Sequence, residues 1–240
     1  MPKRWIAAVC ALAGWSGALA APPAPDGGDR VLDRHIAMVA QAEDLLRTQR
    51  AQEALPIAAA VIRETDARLT GEKRTVYSGQ STEMVLANML AAAARKQDAV
   101  DVGPPLGRAL FVEGYALIDL GRRAEAGPFL DRAVTVSPSN PEYLCEAAAW
   151  HAERHELDVA RDLYERCGAS SGFAGAGPGK ARMLAIAERG QGYVLIEQGR
   201  YDEAEAIYRQ RLNTEPGDEK SRTELRYIQD QRAKEKKRSI

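Results

Sequence analysis

Two histidines four residues apart, His151 and His155 in "HAERH", could hold a metal ion from one face of a helix. The helical zinc-hydrolase signature also requires a Glu beside the first His, and Ala152 stands there. No third ligand accompanies the pair, and sites of this kind use one. "GFAGAGPGKAR" invites comparison with a phosphate-binding loop. That loop needs a Gly five residues before Gly179, where Ala174 stands, and a Ser or Thr after Lys180, where Ala181 stands. It also needs a preceding strand, whereas this stretch follows a helical pattern and reads as a flexible insert of about ten residues. No Ser-His-Asp or Cys-His set can be assembled. No catalytic residue, cofactor or metal is therefore expected, and the residues must be read for what they build.

The chain opens with a basic "MPKR", an apolar "WIAAVCALAGWSGAL" and small residues at "ALAAPPAP". These are the three parts of a secretory signal peptide over residues 1–20, with Ala18 and Ala20 fitting the A-x-A rule for cleavage after Ala20. The apolar run is short for a membrane anchor. Cys10 lies inside it and Ala21 stands where a lipidated Cys would be, so there is no lipobox. An exported protein follows, in a bacterial periplasm by expectation. Lys3 and Arg4 leave with the signal, taking 33 basic residues to 31 against 34 acidic ones, a net charge of −3. Such a balance gives no reason to expect nucleic acid as partner. Cys145 and Cys167 alone remain, too few for a disulfide-built scaffold, so a packed apolar core must carry stability. Aromatics make up 6% of the chain, and with abundant Ala that mix suits closely packed helices more than strands.

The chain also matches itself at a spacing of 34. Pro104 and Pro138, Gly114 and Ala148, Ala126 and Ala160, and Ala133 and Cys167 are separated by that interval. The clearest unit, 107–140, has Gly114 at its eighth place, Leu117 at its eleventh, Ala126 at its twentieth, Leu130 at its twenty-fourth and Pro138 near its end. Small residues at places 8 and 20 let two helices approach closely, large ones at 11 and 24 fill the space beside them, and the Pro stops the second helix. This pattern resembles the tetratricopeptide repeat. The second unit, 141–174, carries Ala148, His151, Ala160, Tyr164 and Cys167 at the corresponding places, and the third, 185–218, carries Gly192, Leu195, Gly199, Ala204, Tyr208 and Pro216. His151 then falls on the buried place 11 as a core filler, with His155 in a turn. Place 7, often Leu in the family, is Glu113 and Gln191, and Glu188 takes the place of its Trp.

The resemblance implies an all-α, right-handed superhelical solenoid of antiparallel helix pairs, A then B, each covering its neighbour's apolar face. The expected order is signal peptide 1–20, flexible leader 21–30, an N-terminal helical region 31–106 with two degenerate repeat-like units, then 107–218 with three repeats and a Gly-rich insert at 168–180. Residues 219–240 form a capping helix and basic tail, with Leu225, Tyr227 and Ile228 on its apolar side. One degenerate unit is phased from His35; the other, 73–106, has one good helix from about Thr82 to Gln97, capped by Ser81 or Thr82. No sheet is expected.

In this family partners usually lie in a concave groove lined by helix A. The resemblance maps that lining onto Phe111, Tyr115, Asp119, Glu142, Glu146, Glu153, Arg189, Tyr193 and Glu197. Aromatics mixed with acids favour a protein or peptide partner with a basic or apolar segment. A non-enzymatic periplasmic interaction scaffold is the leading expectation, without stable membrane insertion after cleavage. The alternatives are a structural or assembly component of the cell envelope, at membrane or peptidoglycan, and an enzyme using His151, His155 or a cysteine. Pairing place 8 with place 20 sets Cys145, at place 5, opposite place 23, one turn from Cys167. A disulfide needs Cα atoms within about 7 Å, so two free thiols are expected.

Overall fold

The structure, a computed structural model, describes residues 30–238. The expected signal peptide, and the leader up to residue 29, lie outside the described residues. Those residues form ten α-helices, one 3-10 turn and two short strands, in two compact units, one ending at Tyr143 and one beginning at Leu144. The fold is all-α, built on antiparallel helix pairs.

In the first unit α1 (Arg30–Arg47) pairs with α2 (Ala51–Arg68) and α4 (Pro105–Asp119) with α5 (Arg123–Val136), and α2 lies against α4. Alanines make the close contacts: Ala42, Ala54, Ala58, Ala126 and Ala133 are fully buried, with Val39, Val61, Leu110 and Leu130 filling in around them. Pro56 and Pro128 lie in the second turn of α2 and α5, each leaving the carbonyl four residues back, Gln52 or Ala124, without its usual intrahelical donor.

Between these pairs, residues 73–106 are not a degenerate helix pair. Strand β1 (Thr75–Tyr77) runs parallel to β2 (Ala99–Asp101), with Val76 opposite Val100, and α3 (Thr82–Ala94) joins them. The expectation of no sheet is corrected here. Thr75, Val76 and Val100 are β-branched and Tyr77 is aromatic, types that suit strands, and the Gly79 amide is taken by the Asp101 carboxylate at 2.9 Å. Ser81 caps α3, its hydroxyl accepting from the Met84 amide at 3.3 Å.

The second unit holds most of α6 (Pro141–Glu153), then α7 (Leu157–Ala169), α8 (Pro178–Glu197), α9 (Tyr201–Thr214) and α10 (Glu219–Arg238). The Gly-rich segment is not the flexible insert expected. It forms a 3-10 turn at Ser171–Ala174, and α8 starts at Pro178, well before residue 185. Pro178 at the first helical turn presets φ, and a Cβ on Gly179 would lie 2.2 Å from the Ala174 carbonyl oxygen, so only Gly lets the turn fold onto the helix. Ile228 of α10 is fully buried against the cluster of Leu195, Ile196, Ala204 and Tyr208, with Leu225 and Tyr227 beside it.

The close approach read at place 8 is real: a Cβ on Gly114 would lie 3.5 Å from the Ala126 carbonyl oxygen at place 20, and still closer to place 24, one turn further along helix B. A Cβ on Gly114 would meet Leu130 Cδ2 at 2.7 Å, and one on Gly192 would meet the Tyr208 ring at 2.5 Å. Place 8 thus faces place 24. That register sets place 5 opposite place 27, and Cys145 and Cys167 form a disulfide across α6 and α7 with Cα atoms 5.5 Å apart. The expectation of two free thiols fails because it rested on the other register.

Candidate functional site

Each helix pair turns through the same backbone device. The residue at place 15 is left-handed in all four pairs: Gln49 (φ 59°), Gly121 (φ 74°), His155 (φ 59°) and Gly199 (φ 73°). The following amide then reaches back to the carbonyl of place 11, in Arg50 to Leu45 and Arg122 to Leu117 at 2.8 Å, Glu156 to His151 at 3.0 Å, and Arg200 to Leu195 at 2.8 Å. In three of them an Arg then forks onto a Glu three residues on, as in Arg122–Glu125 and Arg200–Glu203. This fixes the end of helix A and hence the face it presents.

On α4, Phe111 is 2% exposed and stacks on Tyr143 with ring centroids 4.7 Å apart, so it belongs to the core and not to an open groove. Tyr115, one turn on, is half-buried, its ring 6.0 Å from Phe111, and Asp119 is exposed. Beneath them Arg108 holds Glu43 of α1 through a two-pronged ion pair, with Nε at 2.6 Å from Oε1. Burial raises the Glu43 carboxyl above its ordinary range, against the pull of Arg108. Burial also drives the Tyr143 hydroxyl well above its usual pKa, keeping it neutral. Sequence reasoning missed the Glu43–Arg108 pair; an acid on one helix A and a base on another, 65 residues apart, carry no local signal. Glu142 is half-buried at the start of α6, where the Asn140 side chain caps its amide at 3.0 Å.

In the second unit Glu146 is 2% exposed, contrary to its expected surface position. Residues 143–149 of α6 are all buried, so this helix has no open face at that level. Glu153 is exposed. Arg189 is spent internally: its guanidinium sits 3.0 Å from the Asp218 carboxylate, which Arg211 also reaches at 3.2 Å. Asp218 in turn caps α10, accepting from the Ser221 amide at 3.2 Å and hydroxyl at 3.0 Å. Burial would raise this carboxyl, but the Ser221 amide and the Arg189 guanidinium outweigh it and hold the pKa at about 2. Glu188, at the family's Trp place, lies 3.5 Å from Arg211 and joins this network. Tyr193 and Glu197, one turn apart on α8, are half-buried, with His155 Nδ1 3.9 Å from the Glu197 carboxylate.

The two histidines do not share a helical face. α6 ends at Glu153, His151 is buried against Glu156, and His155 turns out in the left-handed turn. Among the described residues no group of three His, Cys, Asp or Glu could hold a metal ion, and no helix is long and apolar enough to cross a membrane.

Residues 107–140 and 190–217 match the family described as Tetratricopeptide repeat. The chain thus carries tetratricopeptide repeats over those residues, and repeats of this class serve as protein-interaction scaffolds. Two solved structures share the fold. "MamA RS-1 ArsTM double mutant" is 16% identical with a TM-score of 0.54, covering 83% of this chain and 85% of that one. "MamA MSR-1 C2" is 14% identical with a TM-score of 0.52, covering 83% and 87%. No curated protein matches the chain in sequence.

Proposed function

We propose that this chain is an exported, non-enzymatic scaffold that binds a protein or peptide carrying a basic and apolar segment. One observation carries the reading: α4 and α8 present the same pair at the same places, a part-exposed Tyr followed one turn later by an acid, Tyr115–Asp119 and Tyr193–Glu197. An aromatic with an acid beside it suits an apolar side chain next to a Lys or Arg. Glu142 and Glu153 extend the acidic character within their own units; Phe111 and Glu146 are buried and Arg189 is paired with Asp218, so these three take no part. The Cys145–Cys167 disulfide supports export, since such bonds persist in oxidising compartments.

Tyr115→Ala and Tyr193→Ala should each weaken capture of a basic, aromatic-containing peptide by about tenfold or more, as expected of hot-spot aromatics. Asp119→Lys and Glu197→Lys should slow association instead, with the loss shrinking at high salt. Titration calorimetry and stopped-flow mixing read the two effects, with circular dichroism checking the fold. Unchanged binding by all four variants sinks the proposal. Mass spectrometry of the exported protein should find Ala21 at its N-terminus; a retained Met1 or a lipid there reverses the localisation.

A further inference from the structure

Among the described residues three large hydrophobic side chains stand well out into solvent, and two of them are on α3: Leu86 at 58% and Leu90 at 61% exposure. The helix is held from its other side. Met84, Asn88 and Ala92, spaced by four, are its buried residues, and Asn88 accepts from the Ser139 hydroxyl at 3.1 Å, which fixes the rotation of the helix. The outward face is then Thr82, Glu83, Leu86, Leu90, Ala93 and Ala94, an apolar stripe beyond its first two residues. A surface helix ordinarily carries charges on that face. Nothing in the repeat pattern accounts for this face, because α3 lies in the strand–helix–strand segment outside the helix pairs.

We propose that α3 is a self-association surface, on which two copies of the chain pack α3 against α3 in antiparallel fashion about a two-fold axis. The stripe is complementary to its own reverse. Leu86 and Leu90 flank position 88 symmetrically, so an antiparallel copy sets each Leu86 against the other copy's Leu90. Ala93 then faces the start of the other helix, where its small side chain leaves room for the Glu83 stem. The exposed bases Arg95 and Lys96 follow the C-terminal end of α3, within reach of that same Glu83. Acid at one end and base at the other repel in a parallel pairing and attract in an antiparallel one. A two-fold axis satisfies both contacts at once, as an isologous interface requires. A helix of 13 residues spans about 20 Å, so the patch is small and the dimer weak and concentration-dependent. This surface is separate from the tyrosine faces of α4 and α8 and does not depend on partner binding there.

Sedimentation velocity of the full chain across the micromolar to millimolar range should show a reversible monomer–dimer equilibrium. Leu86→Glu and Leu90→Glu, both at exposed positions, should each weaken it by about tenfold or more. Glu83→Lys alone and Lys96→Glu alone should weaken it, and the double variant Glu83→Lys/Lys96→Glu should restore it, a rescue that only the antiparallel register gives. A wild-type chain that stays monomeric throughout overturns the proposal, as does a dimer indifferent to both leucine variants or a double variant weaker than either single one. Flotation of a monomeric chain with anionic phosphatidylglycerol vesicles, abolished by Leu86→Glu, would assign the face to lipid and equally overturn it.

Discussion

The left-handed residue at place 15 separates two costs that usually come together. Gly121 and Gly199 have open space where a Cβ would go, so a side chain there meets no neighbour and strains only the backbone. Gly121→Ala and Gly199→Ala should each lower stability by about 1 kcal/mol, while Gln49→Gly, at the same place with φ 59°, should be neutral or stabilising. Urea unfolding monitored by circular dichroism reads both signs, and a stabilising Gly121→Ala would break the equivalence of these turns. At this scale the sequence was informative where one residue does one local thing. Ser81, one of the two caps the sequence offers for α3, is legible because its partner lies within a few residues. Phe111 and Glu146 were misplaced because exposure depends on everything packed around a helix, which a repeat pattern cannot report. The acid in "EYLCEAAAW" looks like any solvated one until residues on every side of it prove buried.

At the scale of elements, α10 shows how a polar helix is kept in place. It has one fully buried apolar side chain, Ile228, and its first turn is anchored by the Asp218 cap and the guanidinium groups of Arg189 and Arg211. Because the folded pKa of Asp218 lies near 2, below the ordinary value of about 3.9, its contribution is fully present above pH 4. It is lost as pH falls from about 4 through about 2. Asp218→Asn keeps an acceptor for the cap but removes the charge, so it should be less stable at pH 7 and should flatten stability within that acid window. Thermal unfolding across pH 2–5 checks this, and a variant with the wild-type slope would show that Asp218 does not titrate with folding. The helix pairs were legible because a period of 34 recurs in the small residues. The strand–helix–strand of 73–106 was not, since two three-residue strands give no periodicity to read and their pairing joins residues 24 apart.

For the molecule as a whole, the boundary between its two compact units falls inside α6, between Tyr143 and Leu144, and the disulfide begins one residue later at Cys145. That bond closes a loop of 22 residues and should contribute about 3 kcal/mol to the second unit. Reduction, or Cys145→Ala with Cys167→Ala, should lower the protection of α6 and α7 amides in hydrogen exchange while leaving α1 and α2 unchanged. Equal loss in both units would mean that they unfold as one. Whether place 8 faces place 20 or place 24 decided this feature, and a repeat sequence does not settle it. In the repeats from residue 107 onward place 20 carries alanines and place 24 large side chains, but the two lie one turn apart on the same face of helix B, so both point inward.

The same bond has a mechanical meaning. A chain of stacked helix pairs loaded at its ends gives way pair by pair, each surrendering its stored length. Between Cys145 and Cys167 the covalent link carries the load past the helices, so about 70 Å of extended chain, 22 residues at about 3.3 Å each less the 5.5 Å already spanned, stays out of reach of tension. In an oxidising environment the middle repeat is thus an inextensible segment within an otherwise extensible chain, and a reductant adds slack at that one place.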